Sequence, residues 1–242
     1  MNMAIWVIFI ITFGAGISVL VLKEPENKNF KNLLSLSGAY LFSITIIHLL
    51  PEIFRESSNS LLAGVFVLLG FFMQQLLGLF TEGVEHGHVH HHHSTKVPFL
   101  LIFSLIIHSL LEGSLLVHHS VSHVQHENNT ILWGLVMHKI PEAFTLGLVL
   151  FSQIKSKNIV LFWLFMYALA SPMGILASEY FTHLSVLNEQ NVQLLFALVA
   201  GNFLHIATTI FFEAAPGHQF KLTKAAMSIL GASLAVLAEF IL

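Results

Sequence analysis

The sequence has no cysteine. That absence removes disulfides, iron–sulfur clusters and thiolate metal sites together, so any metal chemistry must rest on imidazole and carboxylate. Charge is also scarce. Only 23 of 242 residues are Asp, Glu, Lys or Arg, whereas a soluble domain carries about 25%. With 55% hydrophobic residues and a mean hydropathy of +0.80, the chain has more apolar surface than water tolerates. The solvent that this composition implies is lipid. A net charge of −3 with histidines neutral offers no basic surface, which argues against nucleic acid as a partner. Histidine is the exception to this poverty. There are 16, and six of them (His86, His88, His90, His91, His92 and His93) stand in the tract "HGHVHHHH".

A helix needs about 20 apolar residues to cross the hydrocarbon core. Eight stretches meet that length, at 3–22, 32–54, 61–80, 97–119, 129–152, 158–181, 191–212 and 222–241. The alternating segments of about 10 residues that would build a barrel are absent. The expected fold is therefore all-α, a polytopic membrane protein of eight transmembrane helices forming one domain over 1–242, with a His-rich loop at 81–96. The first segment lacks a basic flank and reads as a retained span, not a cleaved signal. Loop cations set orientation. Lys23, Lys28, Lys31, Lys96, Lys155, Lys157, Lys221 and Lys224 all fall in odd-numbered loops, against Arg55 alone on the other side. Odd-numbered loops, the His-rich one among them, are expected in the cytoplasm and both termini outside it. His118, His119, His123 and His126 fall in or beside the outer loop between spans 4 and 5.

Span 4 contains "IIHSLLEGSLL" and span 5 "VMHKIPEAFTL", and each has His at i and Glu at i+4: His108 with Glu112, His138 with Glu142. Residues four apart share one face of a helix. His108 lies about 11 residues from the cytoplasmic end of its span and His138 about 9 from the outer end of its own, so at 1.5 Å per residue both sit near the midplane. A short outer loop predicts that the two helices are antiparallel neighbours. Two imidazoles and two carboxylates converging there suit Zn²⁺, and also Fe²⁺, Mn²⁺ or Co²⁺. The bland alternative is four buried polar residues satisfied by separate interhelical hydrogen bonds. Two depth-matched pairs weigh against it, since ionisable groups at that depth are functional by default. Pro141 cannot donate to the carbonyl of Met137, so span 5 is expected to bend or open beside His138. Gly113 and Gly147 permit close helix approach.

At these residues the chain resembles the ZIP (Zrt/Irt-like) family of metal transporters, whose fourth helix carries an H-N-x-x-D/E-G motif and whose fifth carries an H-E-x-P-H/E type. Here they stand as "HSLLEG" (108–113) and "HKIPEA" (138–143). "HLLPE" (48–52) and "GNFLHIATTIFFEAAP" (201–216) are also similar to that family. The resemblance implies uptake of divalent metal, mainly zinc as transported substrate, into the cytoplasm between helices 4 and 5. It assigns the primary site to His108, Glu112, His138 and Glu142, and implies an inverted repeat of helices 1–3 and 6–8 around helices 4 and 5. Two positions depart from the pattern. Ser109 stands where many members have Asn, and Lys139 where many have an acidic residue; those positions help to form a second, adjacent metal site in binuclear members. An ammonium repels a second cation, so the expectation is a mononuclear site with Lys139 replacing the second metal electrostatically. Snorkelling is the alternative for Lys139, over a long reach from the midplane.

Other residues suggest a pathway. His48 and Glu52 bracket Pro51 near the outer end of span 2 and could gather ions, or simply cap the interface. His205, Thr209 and Glu213 form a stripe at i, i+4 and i+8 in span 7 that suits an exit path, with helix packing as the alternative. The His-rich tract can bind Zn²⁺ exchangeably as neutral imidazole. The competing function is an intramembrane zinc-dependent hydrolase, but the H-E-x-x-H helix and the G-x-S-x-G elbow are both missing. The residue after His138 is Lys139, of the wrong polarity for a general base. The reading is a transporter and not an enzyme, integral to the cell (inner) membrane, with metal ions and the lipid bilayer as partners, working alone or as a homodimer.

Overall fold

The computed structural model of the chain describes residues 2–21, 27–81, 99–116, 127–184, 189–213 and 222–241. Every element among them is helical. They are α1 (Asn2–Ser18), α2 (Asn27–Ile44), a π-helical turn (Thr45–Leu49), α3 (Leu50–Glu56), α4 (Ser60–Thr81), α5 (Phe99–Ser114), α6 (Glu127–Gln153), α7 (Lys157–His183), α8 (Glu189–Glu213) and α9 (Leu222–Ile241). Span 2 is thus α2, the π turn and α3 together, and spans 3 to 8 are α4 to α9. Six of these are long and apolar enough to cross a membrane, while Met3–Ser18 and Phe99–Ser114, at spans 1 and 4, are apolar but shorter. The His-rich tract at 86–93 and the outer-loop histidines at 118–126 lie outside the described residues.

Polarity runs inside out, as lipid requires. Leu61, Leu68, Phe72 and Leu79 of α4 and Leu222, Ile229 and Phe240 of α9 are exposed, whereas His108, Glu112, His138, Lys139 and Glu142 are buried. The prolines explain local irregularities. Pro51 has no N–H and its ring crowds the carbonyl four residues back. The turn before it widens, so that Leu50 N–H bonds to the Thr45 carbonyl, five residues back. Pro141 and Pro172 lie inside α6 and α7, which each continue as one helix through them. The Thr145 hydroxyl donates to the Pro141 carbonyl at 2.8 Å.

The helices sort into two packed groups. In one, α5 packs on α7 and α1 on both α6 and α7; in the other, α4 packs on α8 and α2 on both α8 and α9. Contacts of α2 and α9 with α6, and of α4 with α5, join the groups. Exchanging span 1 with 6, 2 with 7, 3 with 8 and 4 with 5 carries the α4–α8 pairing onto α9–α2 and α5–α7 onto α6–α1, the pairing pattern of an inverted repeat. Spans 4 and 5 face each other as expected, but through side chains and not through close backbone contact. The backbone of α5 lies chiefly on α7 and that of α6 chiefly on α1 and α2. The two helices meet mainly through long side chains, and the interval between them is where the ionisable groups lie.

Glycine sets the closest of these approaches. A Cβ on Gly113 would collide with the Ser171 carbonyl, and one on Gly174 with the Leu110 carbonyl, so the α5–α7 contact is backbone on backbone from both sides. Gly147 does the same against Gly16. Both glycines singled out in the sequence therefore serve packing. Gly113→Ala is expected to destabilise the protein by about 1–3 kcal/mol or more through overpacking, lowering the melting temperature in detergent. Gly14→Ala, where a Cβ meets nothing within 4 Å, should leave it within experimental error; equal losses for the two would refute the packing argument.

Candidate metal centre

His108 and Glu112 project from α5, and His138 and Glu142 from α6, so that one ligand atom from each lies within 4.8 Å of the other three. All four side chains are fully buried. His108 Nε2 is 2.9 Å from Glu112 Oε1 and 3.9 Å from Glu142 Oε1. His138 Nε2 is 3.7 Å from Glu112 Oε1 and 3.7 Å from Glu142 Oε2. The two rings stand edge to face, 6.1 Å apart. Zinc bonds to nitrogen and oxygen of about 2.0–2.2 Å imply ligand-to-ligand edges of about 3.3–3.5 Å in a tetrahedron. The four separations straddle that length, so side-chain adjustment would bring two nitrogens and two oxygens onto one ion of this size.

The carboxylates are shared with a second cationic position. Glu112 turns Oε1 to both imidazoles and Oε2 to the Lys139 ammonium. Glu142 turns Oε1 to His108, while its Oε2 faces His138 at 3.7 Å and accepts a hydrogen bond from Lys139 Nζ at 2.7 Å. Helix geometry produces this division, because Glu142 lies four residues from His138 and three from Lys139 and so sits between them on one face. Lys139 Nζ also donates to Ser109 Oγ at 2.7 Å and to the Tyr167 hydroxyl at 3.4 Å. Its side chain is 1% exposed, so it does not snorkel. Imidazoles flank the carboxylate pair on one side and an ammonium on the other.

The packing described above holds the parts in place. The glycine contacts fix α5 against α7 within one turn of Glu112 and of Tyr167. Gly134 packs on the Tyr40 ring and Gly147 on Gly16, setting α6 against α2 and α1 on either side of His138.

The pathway residues are placed elsewhere. His48 and Glu52 are buried near the end of span 2, with His48 Nε2 3.5 Å from Glu52 Oε2 and His48 Nδ1 2.8 Å from Glu239 Oε1 on α9. They form their own cluster and do not join the four. His205 sets its ring edge-on to Phe71 of α4 at 4.9 Å, and the Thr209 hydroxyl turns back to the His205 carbonyl at 2.8 Å. Neither reaches the central group. Glu213 ends α8, and its side chain lies outside the described residues. Two participants went unread in the sequence. Glu239, the one acidic residue in the last span, carries a visible signal; Tyr167 carries none, since tyrosine in an apolar helix is commonplace.

With this geometry in hand, the comparisons agree. Residues 85–239, more than half of the chain, match the family described as ZIP Zinc transporter. The chain is also 31% identical over 139 residues to Protein zntD of Dictyostelium discoideum, covering 52% of this chain and 20% of that protein. It spans, then, a minor part of that relative's length. A buried His/Glu group, helices long and apolar enough for a bilayer, and a match over most of the chain place it together: the chain belongs to the ZIP zinc transporter family.

Proposed function

We propose that the chain carries a divalent metal ion, Zn²⁺ before Fe²⁺, Mn²⁺ or Co²⁺, across the membrane and into the cytoplasm. The ion is bound in transit by His108, Glu112, His138 and Glu142. The observation that carries this reading is the convergence of four buried ligand atoms from two helices that otherwise pack on different partners. A divalent ion there neutralises carboxylates that are costly in hydrocarbon. Alternate access comes from movement of one helix group against the other around the midplane site. Inward direction is what the resemblance to the ZIP family implies; the lysine bias of the loops sets the orientation, which puts the His-rich tract on the cytoplasmic side, where its imidazoles receive incoming ions. The location that fits is the cell membrane, with both termini outside.

A hydrolase reading is weaker. It needs a metal-bound water and a free general base. Glu112 and Glu142 both face the imidazoles, and Lys139 occupies the carboxylate edge that such a base would use. Lys139 acts instead as a fixed second cation, which limits the centre to one metal.

In proteoliposomes loaded with a zinc-sensitive dye, His138→Ala and Glu142→Ala should each reduce zinc entry on the order of 100-fold, at least the loss seen when merely supporting groups of metal sites are removed. Equal flux in wild type and both folded variants would sink the transport reading. The stoichiometry is a separate test. With the six tract histidines changed to Ala, Lys139→Glu should bind one more zinc per chain than the same protein with Lys139, measured by metal analysis after gel filtration. An unchanged ratio would mean that Lys139 does not occupy a second cation position.

A further inference from the structure

We propose that Tyr167, with Ser109, forms a permanent seat for the Lys139 ammonium, and that by holding it there through metal binding Tyr167 raises the affinity of the centre for its ion. This inference rests on the metal-centre reading above. It concerns a residue that is not a ligand: Tyr167 comes from α7 and stands outside the four-residue group.

The ammonium has three N–H donors and more partners than donors. It bonds Glu112, Glu142 Oε2 and Ser109 Oγ, with the Tyr167 hydroxyl at 3.4 Å and the centroid of the Tyr167 ring 5.3 Å away. Tyr167 belongs to the buried apolar cluster that also holds Leu105, Leu146 and Leu164, from α5, α6 and α7. One end of Tyr167 is thus anchored in the core and the other meets a cation, the arrangement for which an aromatic with a polar tip is suited. With the ammonium 3.4 Å from the hydroxyl oxygen and 5.3 Å from the ring centroid, it lies off the hydroxyl end of the ring, so the contact is a hydrogen bond from a charged donor in a site shielded from water.

The partners respond differently to an arriving metal. Glu112 and Glu142 turn oxygens towards both cations. When a dication draws on the imidazole side, the same carboxylates hold the ammonium less, and the two positive charges repel. Ser109 and Tyr167 are neutral and stand outside the four-residue group, although the Tyr167 hydroxyl also bonds Glu142. They matter more to the ammonium in the metal-bound state than in the metal-free one. Linkage then fixes the sign: whatever holds the ammonium better when metal is present strengthens metal binding. Without the hydroxyl, Lys139 must lean on the carboxylates and compete with the ion for them.

A double-mutant cycle on zinc affinity tests this, because a coupling energy isolates an effect exerted through one particular neighbour. The proteins carry Ala at the six tract histidines, and Kd is read by competition with a zinc dye. Tyr167→Leu should raise Kd on the order of 10-fold when Lys139 is present, the size of a hydrogen bond to a charged group. In the Lys139→Met background, with no ammonium to seat, the same change should be worth less than about 2-fold. Tyr167→Phe, which keeps the ring and loses the hydroxyl, should raise Kd about as much as Tyr167→Leu. An equal ratio in both backgrounds would overturn the seat and leave Tyr167 as packing for α7. Should Tyr167→Leu not fold, Tyr167→Phe, which keeps the ring's packing, enters the same cycle. A wild type whose zinc affinity His138→Ala leaves untouched would instead overturn the metal centre itself, and the seat with it.

Discussion

Two carboxylates in the hydrocarbon depth of a membrane cannot stand alone. Glu112 and Glu142 are fully buried, and a single charged side chain at such depth costs about 2.5–3.5 kcal/mol even on the most forgiving scale. What keeps the pair tolerable is opposite charge and hydrogen-bond donation on both edges: imidazoles on one side, the Lys139 ammonium on the other. Placing those groups requires two helices whose side chains reach each other across a gap. The gap in turn requires that α5 and α6 find their backbone packing elsewhere.

The glycines supply that packing. Backbone-to-backbone contact at Gly113 and Gly174 seats α5 on α7, and contact at Gly147 seats α6 on α1. In lipid there is little hydrophobic drive to bring helices together, so close van der Waals approach carries the association. Rigid pairs on either side leave the interval between α5 and α6 as the place where polar atoms gather. These contacts lie within one of the two packed groups, which the other touches through α2, α4 and α9.

Much of the centre was legible because it is local in sequence. An HxxxE pair declares its own geometry, since i and i+4 share a helix face whatever surrounds them. Residue types that are rare in hydrocarbon mark themselves, which is why His108, Glu112, His138, Lys139 and Glu142 could all be named. The facing of spans 4 and 5 followed from the short loop, but that they meet through side chains while their backbones pack on other helices did not. The stripe of His205 and Thr209 is a true helix face, and only the fold set the Phe71 ring of α4 against His205.

The sequence by itself therefore determined the lipid environment, the number and order of helical segments, and the residue types of the candidate site, because hydropathy and i,i+4 spacing are properties of one segment at a time. Tertiary structure alone decided what lies opposite each segment. It gave His48 the carboxylate of Glu239, 191 residues away. It set both site glutamates between imidazole and ammonium, and it brought the Tyr167 hydroxyl to Lys139. Those are contacts between helices, and no periodicity within a helix encodes the partner that packing will bring to its face.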